Sequence, residues 1–486
     1  MKRKIKIMIS CLLISQLFLM TVYAKPDWPS DTGIQAEAGI VIDADSGTVI
    51  FGQNIHAAYP PASITKLLTA LIVLENSSLD DMVTFSKDSV YNVEQGSGNK
   101  LNVTDGDTLS VEDCLYSLIL HSCNQAANAL AEHVAGSREE FVRMMNEKIK
   151  ELGCGESHFD NPSGLNGDTQ YVTAYDMALI AKAAYRNKKL VEIGSAISHK
   201  IPPTVNNPDG LTIYNEHRLV KTTDEKSQYY FPPAVAGKTG YLIKAGNTLV
   251  TYAEQDGRRL ISVILKGSPR QYFVDGKTLL EFGFNRFENL PIIGNEKDYS
   301  KEGGSVTIGG KTYPSSDLLL EPDKVVTIPQ EAKFSQLDKS VVTDLPKKSP
   351  DGAVALIQYT YNDRNVGEVY LLSKKEQSVS NVPVTGTGTG DSKDMETTPD
   401  MGEKEEGNSA LKGVGARAFF IVAVLLALVA VGTGTVLLHR KKETKEIARR
   451  REERRRRLKE NGEADAFEQM LKKRRNGKQN KNKKIK

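Results

Sequence analysis

Apolar positions along this chain fall into short runs, alternations and helical periods, and the switches between them mark the elements. Ala38-Gly39-Ile40-Val41-Ile42-Asp43 is a short apolar run, a turn follows at Asp45-Ser46-Gly47, and Thr48-Val49-Ile50-Phe51 completes a β-hairpin pattern. Pro60-Pro61 ends an irregular segment and opens an apolar helical stretch that carries Ser63 in its first turn and runs to Leu74. Ser110, followed by Glu112 and Asp113, caps a helix through Leu115, Leu118, Ile119 and Leu120, which breaks at His121-Ser122-Cys123-Asn124. The next helix starts at Gln125 and runs to Val134, another covers Arg138 to Leu152, and Thr173 opens one ending at Tyr185. A turn-rich loop, His158 to Leu165, lies between the last two, and residues 186–233 hold few long periodic runs. Val235 to Leu242 reads as a strand with two glycines, and Leu249–Ala253 and Leu260–Leu265 flank a hairpin turn at Gln255-Asp256-Gly257. Ser268-Pro269 introduces a last helix, ending near Phe284. Strands at both ends with helices between predict an α/β (α+β) domain over residues 35–288: an antiparallel sheet flanked by helices, with a helical subdomain.

The pattern changes after residue 288. Val306–Ile308, Lys324–Ile328, Ala353–Tyr359 and Val366–Leu372 are strand-like runs separated by Gly, Pro and Asp, so residues 289–376 read as a small all-β domain. Residues 377–413 are Thr, Gly, Ser, Asp and Glu with few apolar groups, a flexible linker. Residues 418–438 carry no charge and, at about 1.5 Å per residue, are long enough to span about 30 Å of hydrocarbon. They predict a single C-terminal transmembrane helix, and Arg440-Lys441-Lys442 behind it places that end in the cytoplasm. At the other end Lys2, Arg3, Lys4 and Lys6 precede an apolar run, Ile7 to Tyr23, and Ala24 supplies a small residue for cleavage. Residues 1–24 therefore read as a signal peptide, a retained anchor being the other reading of the same run. On either reading the expectation is a single-pass protein of the cell membrane, its main domain on the extracytoplasmic face and its C-terminus cytoplasmic.

A formal net charge of +3 hides an asymmetry. Residues 439–486 hold 21 Lys/Arg against 8 Asp/Glu, so the basic charge is a tail and the rest of the chain is acidic. This argues against a nucleic-acid-binding domain. The basic cytoplasmic tail suits the anionic lipid of the cytoplasmic membrane, at roughly 1 kcal/mol per basic residue near the surface. Three thiols remain beyond the signal, Cys114, Cys123 and Cys154, with no zinc-like spacing; one bridge or none is compatible with them.

Candidate chemistry lies in three short motifs. Ser63-Ile64-Thr65-Lys66 puts a hydroxyl and an amine on one face of a helix start, a way to activate serine without histidine. Ser-x-x-Lys also occurs at Ser97–Lys100, in a turn, and at Ser409–Lys412, in the linker; only Ser63 opens a long apolar helix. Ser122-Cys123-Asn124 sits at a junction between two helices, where capping is the plain alternative. Ser97-Gly98-Asn99 has the same spacing without that junction, and reads as a decoy. Lys238-Thr239-Gly240, on a strand, occurs once. No Gly-x-Ser-x-Gly elbow and no His-Glu-x-x-His is present, which argues against a Ser-His-Asp hydrolase and against metal catalysis; neither metal nor cofactor is expected.

Together the three motifs match the set of the serine penicillin-recognising enzymes. The chain resembles low-molecular-weight penicillin-binding proteins that act as serine-type D-alanyl-D-alanine carboxypeptidases, from about Ala38 to Arg286. The likeness includes Pro60-Pro61-Ala62-Ser63, Asn161-Pro162-Ser163-Gly164-Leu165 and Thr173-Ala174-Tyr175-Asp176-Met177. It departs at Cys123, usually a small residue in the family, and at Gln125, often aspartate. The resemblance implies a β-lactamase/transpeptidase-like fold and removal of the terminal D-alanine from peptidoglycan stem pentapeptides through an acyl-enzyme on Ser63, with β-lactam antibiotics as covalent inhibitors. It implies catalytic roles for Ser63, Lys66 and Ser122, and substrate binding by Asn124, Lys238, Thr239, Gly240 and Tyr241. The Ser63 and Tyr241 N–H groups would form an oxyanion hole. Two other readings use the same motifs: a β-lactamase-like hydrolase, which needs a deacylating step usually served by a glutamate where the loop 157–170 offers Asp160 and no glutamate, and a membrane-spanning penicillin-binding sensor.

Overall fold

The computed structural model of the chain describes residues 25–374, apart from 94–96, 300–303 and 347. All of them belong to the first of two compact units, residues 1–385. The expected signal peptide, most of the linker, the transmembrane helix at 418–438 and the basic tail lie outside the described residues. Among the described residues no helix is long and apolar enough to cross a membrane.

Five strands form the central sheet: β1 (Ala38–Asp43), β2 (Val49–Gln53), β3 (Ala234–Leu242), β4 (Gly246–Gln255) and β5 (Arg258–Gly267). Their order is β2-β1-β5-β4-β3, antiparallel throughout, so the two ends of the domain's sequence meet where β1 pairs with β5. Every residue of β1 is buried, which is why it reads as a continuous apolar run and not as an alternation. β3 forms one edge, leaving its outer side to face the helical layer.

That layer contains α1 (Lys66–Asn76), α2 (Val111–Leu120), α3 (Asn124–Ala135), α4 (Arg138–Glu151) and α5 (Ala174–Ala184). α1 is apolar on all sides and buried from Lys66 to Val73, so it runs through the middle of the layer with the other four around it. Burying each Leu or Ile there contributes roughly 1.5–3 kcal/mol. Two shorter helices, α6 (Lys188–Ser195) and α7 (Arg218–Lys221), pack beside β3 in the stretch where the sequence shows little periodicity. α8 (Gln271–Arg286) covers the opposite face of the sheet, with Leu279, Leu280 and Phe284 against Val41, Ile50, Leu249 and Ile264.

Beyond α8 the described residues form strands joined by loops and two 3₁₀ turns. β6 (Phe287–Pro291), β7 (Leu318–Leu320), β8 (Val325–Pro329), β9 (Asp338–Val342), β10 (Ala353–Tyr361) and β11 (Arg364–Ser373) pair as a β7-β11-β10-β9 sheet and a β6-β8 ribbon. They close on Val326, Ile328, Ile357, Tyr359, Tyr361 and Val366. The segment before β1 joins the two parts: Trp28 Nε1 donates to Ile50 O at 2.8 Å, its ring lies 4.9 Å from that of Phe287, and Tyr361 OH donates to Pro26 O at 2.8 Å. Ser46 and Thr327 hydroxyls, 2.7 Å apart, tie the first turn to β8.

Asp275 fastens the same leading segment to α8. Its carboxylate accepts from Gln35 N at 3.2 Å, Ala36 N at 2.9 Å and Gln271 Nε2 at 2.9 Å while 2% exposed. Asp275→Ala strands two backbone donors and is expected to cost about 2–4 kcal/mol. The measurement is a fall of several degrees in thermal midpoint with the active cleft intact.

Candidate active site

Ser63 sits in a single 3₁₀ turn, Ala62–Thr65, that feeds directly into α1. Pro60 and Pro61 fix the approach, and Ala62 takes a left-handed φ of 52°. Two neighbouring segments crowd this turn. A Cβ at Gly164, whose φ is +85°, would overlap the carbonyl oxygen of Ala62, so the loop after Asn161 lies directly on the turn's backbone. A Cβ at Gly240 would overlap Thr248 Oγ1 and stand 2.8 Å from Ser63 N, so β3 passes at backbone distance from the Ser63 turn. Thr248 Oγ1 in turn donates to Pro61 O at 2.9 Å.

Lys66, the first residue of α1, is fully buried. Its Nζ lies 3.0 Å from Ser63 Oγ, 2.7 Å from Asn124 Oδ1 and 2.5 Å from Ser163 O. An ammonium donates through its N–H groups alone, and these oxygens from three separate segments accept from it. The side chains of Asn161 and Thr69 hold the loop that brings Ser163 O. Asn161 Oδ1 accepts from Gly164 N at 2.7 Å and Ser163 Oγ at 3.0 Å, and Thr69 Oγ1 donates to Pro162 O at 2.7 Å.

The α2–α3 junction differs in detail from the sequence reading. α3 begins at Asn124, not Gln125, and its cap is Cys123, whose sulfur accepts from Ala126 N at 3.5 Å. Ser122 and Asn124 are thereby freed from capping. Ser122 adopts a φ of 57° and lines the cleft, while Asn124 points its amide inward. Burial raises the Cys123 thiol, so it stays protonated and serves as a polar cap, not a nucleophile. Cys114, Cys123 and Cys154 are all free.

Lys238, Thr239 and Gly240 lie on β3 as the sequence predicts. Lys238 is 1% exposed, and its Nζ donates to Thr239 O at 3.1 Å. Burial lowers its ammonium to about 8, with Lys100 pushing the same way and Glu216 opposing. Thr239, Gly240 and Tyr241 line the cleft together with Ser63, Ser122 and Asn124, and the cleft has a volume of about 490 Å³. Lys66 reaches it through its bond to Ser63, and Lys238 underlies it behind Thr239. His217, just before α7, is buried behind β3 and held neutral, its pKa pushed down to about 3 by burial; it bonds Val250 O and Thr251 Oγ1 and faces away from the reacting groups.

Ser97 lies in an irregular segment away from the helix junction, yet it is part of the site: its Oγ accepts from Asn124 Nδ2 at 2.8 Å, and Ser97, Gly98 and Lys100 form part of the cleft wall. Lys100 Nζ reaches His121 O at 2.9 Å and Glu216 Oε1 at 2.6 Å, bridging two sides of the cleft. Glu216, Arg218, Lys221, Tyr272 and Phe273 complete the wall and carry no motif that would have marked them. Asp160 is turned away from this cleft. Its oxygens bind Thr169 N at 2.9 Å and Thr169 Oγ1 at 2.7 Å within its own loop, and it lines a different hollow beside Arg138.

Comparison with known proteins agrees with this geometry. Residues 24–268 match the family described as D-alanyl-D-alanine carboxypeptidase. The D-alanyl-D-alanine carboxypeptidase DacF of Bacillus subtilis is 30% identical over 306 residues, covering 61% of this chain and 75% of that protein. The D-alanyl-D-alanine carboxypeptidase DacC of Escherichia coli is 34% identical over 334 residues, covering 63% and 80%. Among solved structures, penicillin binding protein 5 from Haemophilus influenzae shares the fold, with a TM-score of 0.55 at 24% identity over 72% of this chain and 98% of that one. Penicillin binding protein 6B from Escherichia coli does likewise, with a TM-score of 0.52 at 23% identity over 72% and 99%.

The approach of Gly240 to Ser63 gives a direct test. Gly240→Ala is expected to push β3 away from the Ser63 N–H and slow covalent labelling by a fluorescent penicillin by about 100-fold or more, with the thermal midpoint little changed. Labelling kinetics on the purified variant measure it.

Proposed function

Because this chain belongs to the D-alanyl-D-alanine carboxypeptidase family, we infer that it is a serine-type D-Ala-D-Ala carboxypeptidase acting on peptidoglycan stem peptides and acylated by β-lactams. The observation that carries this reading is the contact of Lys66 Nζ with Ser63 Oγ, at 3.0 Å, inside a cleft that also holds Ser122, Asn124 and Thr239. The absence of Asp160 from that cleft's lining argues against the fast deacylation of a β-lactamase.

In the proposed reaction Ser63 Oγ attacks the carbonyl between two terminal D-alanines while Lys66, as the free amine, takes the hydroxyl proton. The charge that develops on the carbonyl oxygen is met by the N–H groups of Ser63 and Tyr241, which the tight packing of Gly240 on Ser63 supports. Ser122 passes a proton to the amine of the departing D-alanine. Asn124 orients the peptide, and its own amide is held between Lys66 and Ser97. Lys238, as ammonium, and Thr239 favour a carboxylate at their end of the cleft. Water then cleaves the ester, freeing Ser63 and leaving a shortened stem peptide.

The address belongs to the same proposal. Residues 1–24 direct export, 418–438 anchor the chain and 439–486 rest on anionic lipid inside the cell, so the catalytic domain works on the wall from the outer side of the membrane. The support for this is the hydropathy and charge order of the sequence.

Mass spectrometry of stem pentapeptides incubated with the protein tests the activity. Loss of one alanine is expected, and Ser63→Ala should abolish both that loss and covalent penicillin labelling; survival of either removes Ser63 from the mechanism. Charge on Lys238 adds a pH signature. Its ammonium is kept below about pH 8 and lost as pH rises through that value. KM for a substrate with a free carboxylate is therefore expected to be flat below pH 8 and to climb above it, approaching about tenfold per pH unit. Initial-rate kinetics between pH 6 and 10 check it, those bounds being chosen to span roughly two units on either side.

A further inference from the structure

One end of the cleft is bridged by two side chains to which the reaction above gives no part. Lys100 stands on the wall that also carries Ser97 and Gly98, and Glu216 on the wall that leads into α7. Lys100 Nζ donates to Glu216 Oε1 at 2.6 Å and to His121 O at 2.9 Å. The second bond seats the ammonium on the C-terminal end of α2, where unpaired carbonyls favour a cation. Each side chain lines the cleft and is more than a third exposed, so the pair stands between the cleft and bulk water.

The backbones behind the two partners are fixed independently. Asn206 and Asn207 donate through Nδ2 to Asn102 O at 2.9 Å and Leu101 O at 2.8 Å, holding the segment that follows Lys100. Glu216 N donates to Leu120 O at 3.1 Å, and the buried Asn215 beside it donates to Gly194 O and Ala196 O, each at 3.0 Å. Neither wall has to move for the cleft to open here; the two side chains have only to part. An ion pair this exposed is weak enough to break without disturbing the fold.

The neighbours of the bridge show which part of a substrate it meets. His121 is followed directly by Ser122, the residue assigned to pass a proton to the leaving amine. Burial dominates the Lys238 titration, and the charges that act on it next are Glu216, raising it, and Lys100, lowering it. The bridge therefore lies on the leaving-group side of Ser63. A departing D-alanine is one residue long. In a cross-link the same D-alanyl carbonyl is bonded to the side-chain amine of a second stem peptide, and the whole of that peptide must lie beyond the scissile bond.

We propose that Lys100 and Glu216 form a specificity-determining strap across the leaving-group end of the cleft, which admits a single departing D-alanine and turns away cross-linked stems. This rests on the carboxypeptidase reading and names the peptides that such a site takes, those not yet cross-linked.

The test gives two substrates to the wild type, Lys100→Ala, Glu216→Ala and the double variant. One is a stem pentapeptide ending in D-Ala-D-Ala; the other is a peptide dimer joined through D-alanine to the side-chain amine of a second stem. Both are read on the same preparation, so a partial loss of folded enzyme cancels in their ratio. The dimer-to-pentapeptide ratio of kcat/KM is expected to be low in the wild type and to rise about tenfold or more in either single variant, the discrimination that a small steric change gives. The double variant should rise little further, since a strap is lost once either end is gone. A ratio unchanged in both single variants, or multiplied again by a similar factor in the double one, overturns the strap, while D-alanine release by the wild type still supports the carboxypeptidase reading. No D-alanine release by the wild type overturns that reading and this inference with it.

Discussion

The bonds of Lys66 Nζ gather chain segments that share no local structure: Ser63 on the preceding turn, Asn124 at the head of α3, 58 residues away, and Ser163 O, 97 residues away. An amine taken wholly out of water is tolerated only where polar partners replace its hydration. The α2–α3 junction and the Asn161–Leu165 loop must both be in place before Lys66 can be buried. That requirement accounts for the backbone conformations clustered here. Ala62 and Ser122 accept left-handed φ values of 52° and 57°, each at a cost on the order of 1–3 kcal/mol, because the surrounding network fixes them.

Two lysines in one site are kept distinct by what surrounds them. Lys66 is ringed by oxygen acceptors from three segments, including the Ser63 hydroxyl. Lys238 has Thr239 O beside it, and burial dominates its titration, bringing it to about 8. The first arrangement suits passing a proton to and fro over a short fixed distance. The second suits a cation already out of water, whose charge acts on the cleft from behind Thr239.

Much of this was legible from the residues. Ser63 with Lys66, Ser122 with Asn124, and Lys238-Thr239-Gly240 are side-chain patterns with local spacing, and the apolar runs around them marked helix start, helix junction and strand. Continuous apolarity marked β1 and α1 as elements, and the structure shows its reason, burial of the whole of β1 and of α1 from Lys66 to Val73. What escaped was carried by other means. Ser163 and Pro162 act through backbone carbonyls, which any residue possesses. Ser97 resembled a turn serine because its partner, Asn124, is brought near only by the tertiary fold. Glu216, Arg218 and Lys221 lie in the aperiodic stretch between Tyr185 and Ala234, where short elements are placed by packing against β3 and not by their own periodicity. Cys123 caps a helix with sulfur, which the usual preference for Ser, Thr, Asp and Asn did not suggest.

The leading segment has a consequence for how the chain is made. Pro26 is hydrogen-bonded to Tyr361, 335 residues later, and Trp28 packs on Phe287 and Tyr361. During synthesis the stretch that emerges early thus has no seat until the last strands have followed it out. Contacts of such span close slowly, because a long loop must be ordered before they form. A nascent chain of this protein spends most of its elongation with an aromatic-bearing arm undocked, and a chaperone that shields that arm would act while its partners are still being made.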